Sequence, residues 1–447
     1  MSAPGRIPRV PADSARGGIA PASPVVPFRP RRTPLRAAVR ESIFVALAVL
    51  PALLVAVAAH SRVAGADLPW DRWFDADIPR VVAALTHPLE SESRTNVHPA
   101  FTVLFSPPVL LADALTGGAA APLMIAVLMA LAGAGLVLSF YALQRSLGSG
   151  PGESATFCLL ATQAAGFVFW AGVPETFLVG APTLVLSLWL AARADRDRPP
   201  GAPASAAVSA LTLAITITNW AAGLLATFLV HPRRRALAIS AMALGAVGGL
   251  NVVQNWLFPP SGLIGNIVLQ HELRYVPGEG GPWPVLRAAV VHTFAAPALY
   301  LEPIGETDKI AVRMQDSALG SAGTWGAAAA TGWVALLALG GWGFVRLRQY
   351  PRFRIACAGL LAMQLGLHLF YGRETFLYAP HFLAVLLPLA ALAVRTPARR
   401  VALALALLVA ACGALDNWRQ LDAAVALSHV PETGGTPGGT PVPGPPF

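Results

Sequence analysis

Charge-free stretches long enough to cross a lipid bilayer recur along this chain, and they constrain its fold more than any other feature. A hydrocarbon core of roughly 30 Å needs about 20 helical residues. Windows of that kind occupy 42–60, 120–144, 154–173, 175–192, 236–257, 322–345, 355–372, 375–394 and 401–415. Charged residues make up 12% of the 447 residues, against about 25% in soluble domains. That excludes an ordinary soluble enzyme, and 41 glycines with 40 prolines exclude a plain coiled coil. The expected class is all-α, a polytopic transmembrane helix bundle. Nearly all the positive charge behind the net +9 is arginine, Lys309 being the single lysine. Membrane topology accounts for those arginines, so no nucleic-acid partner is expected. Cys158, Cys357 and Cys412 lie inside apolar runs and read as small core residues.

The window 199–232 is free of charge apart from His231, yet arginines flank it on both sides: Arg193, Arg196 and Arg198 before it, Arg233, Arg234 and Arg235 after it. Positive-inside logic places both flanks in the cytoplasm, so the window crosses an even number of times. Its length allows two short spans or a re-entrant hairpin turning near Thr218-Asn219-Trp220. Backbone broken in that way is tolerated where it faces a protein-lined cavity. The count becomes about 11 spans, with the N-terminus cytoplasmic and the C-terminus outside a cell membrane. On this plan the cytoplasmic segments hold 22 of the 32 basic residues and only 5 of the 23 acids. Residues 1–41 read as a disordered basic tail, 42–415 as the transmembrane domain, and 416–447 as a Pro/Gly-rich outer tail.

Two outer loops are long, 61–119 and 258–320. In the first, Pro99–Leu115 contains Pro107, Pro108 and Asp113, and reads as a helix lying at the interface rather than a span. The chemistry-bearing residues gather on this outer side. Asp75 and Asp77 follow Trp73-Phe74, with Arg80 just beyond; the pair suits a metal, a sugar hydroxyl or general-base work, or else belongs to a solvated loop. His98, before Pro99, suits a phosphate or a helix cap. Glu175 sits at an outer turn as a ligand or as a carboxylate complementing a helix dipole. Asn219 marks the tip of the broken pair, and Asn251 and Asn255 lie near the outer end of 236–257. The last turn carries Arg373, Glu374 and His381, for substrate or for a structural tie. Ionisable groups at membrane depth are costly, which makes the set a candidate site.

This pattern, an acidic pair in the first outer loop, a His98-Pro99-Ala100-Phe101 helix start and many spans, resembles the GT-C glycosyltransferases, polytopic enzymes that use polyprenyl-phosphate sugars. The resemblance covers most of 42–415. It departs from the family in lacking an Arg-x-Asp-Glu motif and in having Ala100 after His-Pro. It implies a GT-C-like fold with two juxtamembrane helices and a polyprenyl-phosphate sugar donor drawn from among the membrane lipids. The implied acceptor is a cell-envelope glycan or lipid. Asp77, or Asp75, resembles the base, and Arg80, His98 and Arg373 would hold phosphate. No cofactor is required, though a divalent metal is compatible.

The alternatives are a transporter or lipid flippase, suggested by the broken pair, or a catalytically inactive membrane protein of the same fold. Transporters more often carry inverted repeats and midplane charges. No repeat is found here, and the charges lie at the rim.

Overall fold

A computed structural model describes residues 35–431 except 67, 92, 197–198, 265–280 and 305–308. The helices in chain order are α1 (Leu35–Val63), α2 (Ile78–Thr86), α3 (Phe101–Thr116), α4 (Ala121–Ser146), α5 (Pro151–Thr162), α6 (Ala165–Ala171), α7 (Thr176–Arg196), α8 (Ala202–Ile215), α9 (Trp220–Val230), α10 (Arg233–Leu257), α11 (Pro282–Arg287), α12 (Thr324–Arg346), α13 (Pro351–Phe370), α14 (Ala379–Ala391) and α15 (Arg399–Ser428). Eight helical segments are long and apolar enough to cross a membrane, or nine if the bent pair α5–α6 is one span.

Helices of crossing length thus account for eight or nine of the expected 11 spans, among the described residues. Both remaining apolar segments are helical, but α8 has 14 residues and α9 has 11. At 1.5 Å per residue that is about 21 Å and about 17 Å, short of a hydrocarbon core. Thr216, with extended backbone (φ −150°, ψ 120°), interrupts them, and a 3-10 turn at Ile217–Asn219 reverses the chain where the turn was expected.

Breaks elsewhere are held by side chains. Helices α5 and α6 meet at 63°. There Asn417 Nδ2 donates to Gln163 O at 2.6 Å and to Phe294 O at 2.9 Å, while its Oδ1 accepts from Ala296 N at 3.0 Å. The buried amide thus caps the Gln163 carbonyl at the bend, while Ala165 N and Gly166 N donate to Phe294 O and Thr293 O at 2.9 and 2.8 Å. Where α12 crosses α14, a Cβ on Gly340 or Gly343 would collide with the carbonyls of Leu389 and Leu392. Only glycine lets the backbones approach so closely, as in other membrane helix contacts.

Two further expectations change. The all-α class gains a two-stranded antiparallel sheet in the second loop, β1 (Tyr300–Pro303) against β2 (Ile310–Arg313), with Tyr300 opposite Arg313. Helix α15 continues to Ser428, past the expected boundary at 415, with Asp416 and Asn417 buried. The reason is packing, since Ala424 and Leu421 are fully buried against the core. Helix α1 likewise starts at Leu35, ahead of the expected boundary at 41. The tails 1–34 and 432–447, expected to be disordered, lie outside the described residues.

The first loop is not a solvated excursion. Trp73 and Phe74 are fully buried. Phe74 packs edge-on against Phe169, Trp170 and Phe376 at centroid distances of 5.7, 6.4 and 5.1 Å. This aromatic cluster drives the loop into the end of the bundle, because large rings contribute strongly when removed from water. Arg72 anchors it further, donating to Ile310 O at 3.1 Å and to the last carbonyls of α15 at Leu427 and Ser428, both 3.1 Å. A guanidinium there satisfies groups that a helix C-terminus leaves open.

Candidate functional site

Between the first loop and the adjoining helix ends lies a cavity of about 610 Å³. Its roof is the segment 70–77, held in an unusual conformation. Asp71, Phe74 and Asp75 all have left-handed backbone, at φ 63°, 51° and 60°. Non-glycine residues rarely adopt that region, and a run of them marks a loop whose surroundings dictate its shape. Those surroundings include β2: Val312 N donates to Arg72 O at 2.8 Å.

The three aspartates of this loop all line the cavity, in different surroundings. Asp75 accepts from Arg313 Nη1 at 2.7 Å. Asp77 precedes α2 and is paired with Arg80, one turn on, and with Arg94 Nη1 at 3.3 Å. The carboxylate of Asp71 makes no ion pair or hydrogen bond among the described residues. Desolvation first, and the Asp75 charge second, raise its pKa.

The wall opposite comes from helix ends. His98 Nδ1 lies 2.8 Å from Ile215 O, which can only accept, so Nδ1 carries the proton and Nε2 is the acceptor. Nε2 is 3.2 Å from Thr176 Oγ1, and Thr176 donates from both its N–H and its hydroxyl to Glu175 Oε1, at 2.7 and 2.9 Å. Burial, with help from Arg94 and Arg80, lowers His98 to about 3, so the ring is neutral. Burial raises the Glu175 carboxyl. Deeper, His381 Nε2 accepts from Asn219 Nδ2 at 3.2 Å. Gly180 makes room for this pair: a Cβ there would lie 2.8 Å from His381 Nε2 and 3.0 Å from Asn219 Nδ2.

At the mouth, Arg373 and Glu374 diverge. Arg373 is exposed and makes no ion pair or side-chain hydrogen bond among the described residues. Glu374 is turned inward and buried, with Oε2 accepting from Met314 N at 3.2 Å and Gln315 N at 3.3 Å, and Oε1 from Phe376 N at 3.2 Å. Desolvation raises it to about 7 against the opposing Arg313 charge. Glu374 is thus the tie between the second loop and the last turn, whereas Arg373 remains open to a ligand.

Of the residues expected from sequence, Asp75, Asp77, Arg80, His98, Glu175, Arg373, Glu374 and His381 line this one cavity. Asn219 does not; it sits behind His381. The segment expected as a juxtamembrane helix, Pro99–Leu115, is helical over Phe101–Thr116 as α3, and α2 precedes it. Sequence reasoning missed Asp71 as more than a neighbour, Arg94, and Arg313 from the other loop. It also passed over Gln364 and His368, a polar pair four residues apart inside an otherwise apolar window, which was a readable signal. Among the described residues no three His, Cys, Asp or Glu side chains are placed to hold a metal ion. No protein-family model matches the chain, and a search of curated proteins finds no significant match.

Proposed function

We propose that the protein is a membrane glycosyltransferase that moves a sugar from a polyprenyl-phosphate donor to an envelope glycan or lipid acceptor on the outer face of the cell membrane. The observation that carries this reading is the cavity itself. The aspartates Asp71, Asp75 and Asp77, the cations Arg80, Arg94 and Arg373, and buried polar groups including Glu175 and Glu374 meet at one end of helices of membrane-spanning length. The GT-C-like plan, with α8 and α9 completing the bundle as a short pair, agrees with the order of elements. The arginine asymmetry supports a cytoplasmic N-terminus and an outer C-terminus.

The chemistry follows from the partners. A lipid phosphate competes with Asp77 for Arg80 and Arg94, and Arg373 at the mouth adds a bidentate fork. Asp75 is committed to Arg313. Asp71, which makes no ion pair among the described residues and whose pKa burial raises despite the charges of Lys309, Arg313 and Arg80, fits general-base work better than Asp77, to which the sequence pointed. Asp71 takes the proton of the acceptor hydroxyl, and the oxygen attacks the anomeric carbon. The sugar–phosphate C–O bond breaks with its electron pair leaving on the polyprenyl phosphate, and configuration inverts. The leaving group departs as an anion held by the arginines, so no strong general acid is required.

The transport reading draws on the half-length pair α8 and α9. Incubating the purified protein with undecaprenyl-phosphate hexose and an acceptor extract separates the two. Glycosyl transfer releases free undecaprenyl phosphate and a product heavier by one hexose in mass spectra. Intact donor recovered quantitatively, with or without relocation across a bilayer, removes the transferase reading.

A further inference from the structure

Deep in the cavity, α13 presents two buried side chains with polar atoms that no described residue satisfies. Gln364 and His368, one turn apart, are each 1% exposed and line the cavity. Both the Nε2 and the Oε1 of Gln364, and the Nε2 of His368, lack a hydrogen-bond partner among the described residues. Thr216 Oγ1 on another wall is in the same condition. Gln364 lies six residues before the end of α13, about 9 Å into the helix. Polar groups at that depth are costly when unpaired, so their place in a cavity wall calls for a ligand.

The atoms state what that ligand carries. His368 Nδ1 is 3.2 Å from Tyr371 O and must donate to it, which leaves Nε2 as an acceptor in the neutral ring. Gln364 offers one acceptor and two N–H donors whichever way its amide is turned. An ammonium only donates and leaves the Gln364 N–H groups unpaired. A carboxylate only accepts and leaves His368 Nε2 and Gln364 Oε1 facing lone pairs. A hydroxyl both donates and accepts, and adjacent hydroxyls satisfy all three atoms. The Tyr378 ring, 3.9 Å from the His368 ring between centroids, adds an aromatic wall of the kind that covers a sugar face.

We propose that Gln364, His368 and Thr216 form a subsite for an uncharged, hydroxyl-rich sugar ring, distinct from the arginine-lined rim that takes phosphate. The proposal rests on the glycosyl-transfer reading and adds a selection: a neutral hexose is accepted, and an amino sugar or uronic acid is disfavoured. Gly180 and the Asn219–His381 pair lie behind Thr216 and hold that wall in place.

The test uses the full-length protein in lipid nanodiscs with three probes: undecaprenyl phosphate, undecaprenyl-phosphate mannose, and undecaprenyl phosphate bearing 4-amino-4-deoxyarabinose. Wild-type protein binds the mannose lipid about tenfold more tightly than either of the others, as expected where buried hydrogen-bonding atoms gain or lose partners. In Gln364→Leu and His368→Phe this advantage disappears while affinity for undecaprenyl phosphate stays unchanged. The wild-type comparison needs no substitution and stands even if a variant folds poorly. Equal binding of the mannose and amino-sugar lipids by wild type, or an advantage that survives in both folded variants, overturns the subsite and leaves the transferase reading intact. Failure of wild type to bind any of the three overturns both.

Discussion

Arg313, on the second loop, donates from Nη1 to Asp75 Oδ2 on the first loop at 2.7 Å, joining residues 238 apart in the chain. The same guanidinium reaches Glu302 Oε2 at 2.7 Å, and its side chain is only 5% exposed. One buried cation therefore ties the second loop to the cavity-lining Asp75. Arg313→Ala leaves two carboxylates without their partner and should cost about 3 kcal/mol, the range for breaking a buried pair. A drop in Tm together with lost donor binding is expected. Unchanged Tm would show that the aromatic cluster alone holds the roof.

Asp71 and Asp77 are separable. Asp71→Asn should lower the transfer rate by about 10²-fold or more with donor affinity intact, the loss typical of a general base. Asp77→Asn should instead change donor affinity, because it releases Arg80 and Arg94. Single-turnover rates and donor binding on both variants decide between them; a silent Asp71→Asn would return the base to Asp77.

Arg373 lies at the mouth, exposed and outside the ion pairs. Arg373→Ala should weaken donor binding by about tenfold, and Arg373→Lys by less, since charge is kept and the fork lost. Neither should move Tm. A fall in Tm with donor affinity unchanged would make it a structural residue.

Glu374 links the fold to pH. Its folded pKa of about 7 lies above the ordinary 4.5, so the folded state binds the proton more tightly than the unfolded chain. Stability from this group is present below pH 4.5 and is lost as pH rises through 7. Wild-type Tm should therefore fall relative to Glu374→Gln between those values. A wild-type-minus-variant difference that is flat or rising with pH contradicts the assignment.

Orientation is open to labelling, because the three native cysteines are buried and contribute little background. Leu89, 65% exposed in the first loop, and Arg348, exposed between α12 and α13, lie at opposite ends of the helices. Leu89→Cys should react with an impermeant maleimide in intact cells, and Arg348→Cys only after lysis. The reverse pattern inverts the topology.

Most of the bundle was legible because length and apolarity are local properties of a window, and a bilayer acts on each window separately. The break near Thr218-Asn219-Trp220 and the short helix before Leu115 both followed from that. So did the gathering of Asp75, Asp77, His98 and Arg373, since side follows from counting crossings. What the sequence could not determine depends on which distant residues meet. No local rule says that Trp73 and Phe74 leave the surface to pack on Phe169 and Phe376, or that Asn417 satisfies a bend 254 residues away. Nor does one say that Arg313 takes Asp75 and so leaves Asp71 as the open carboxylate. Helices α8 and α9 fall short of a span because the chain breaks at Thr216 and turns at Ile217–Asn219. Partner choice among charges and rings is a property of the assembled fold, and there the tertiary structure alone decided.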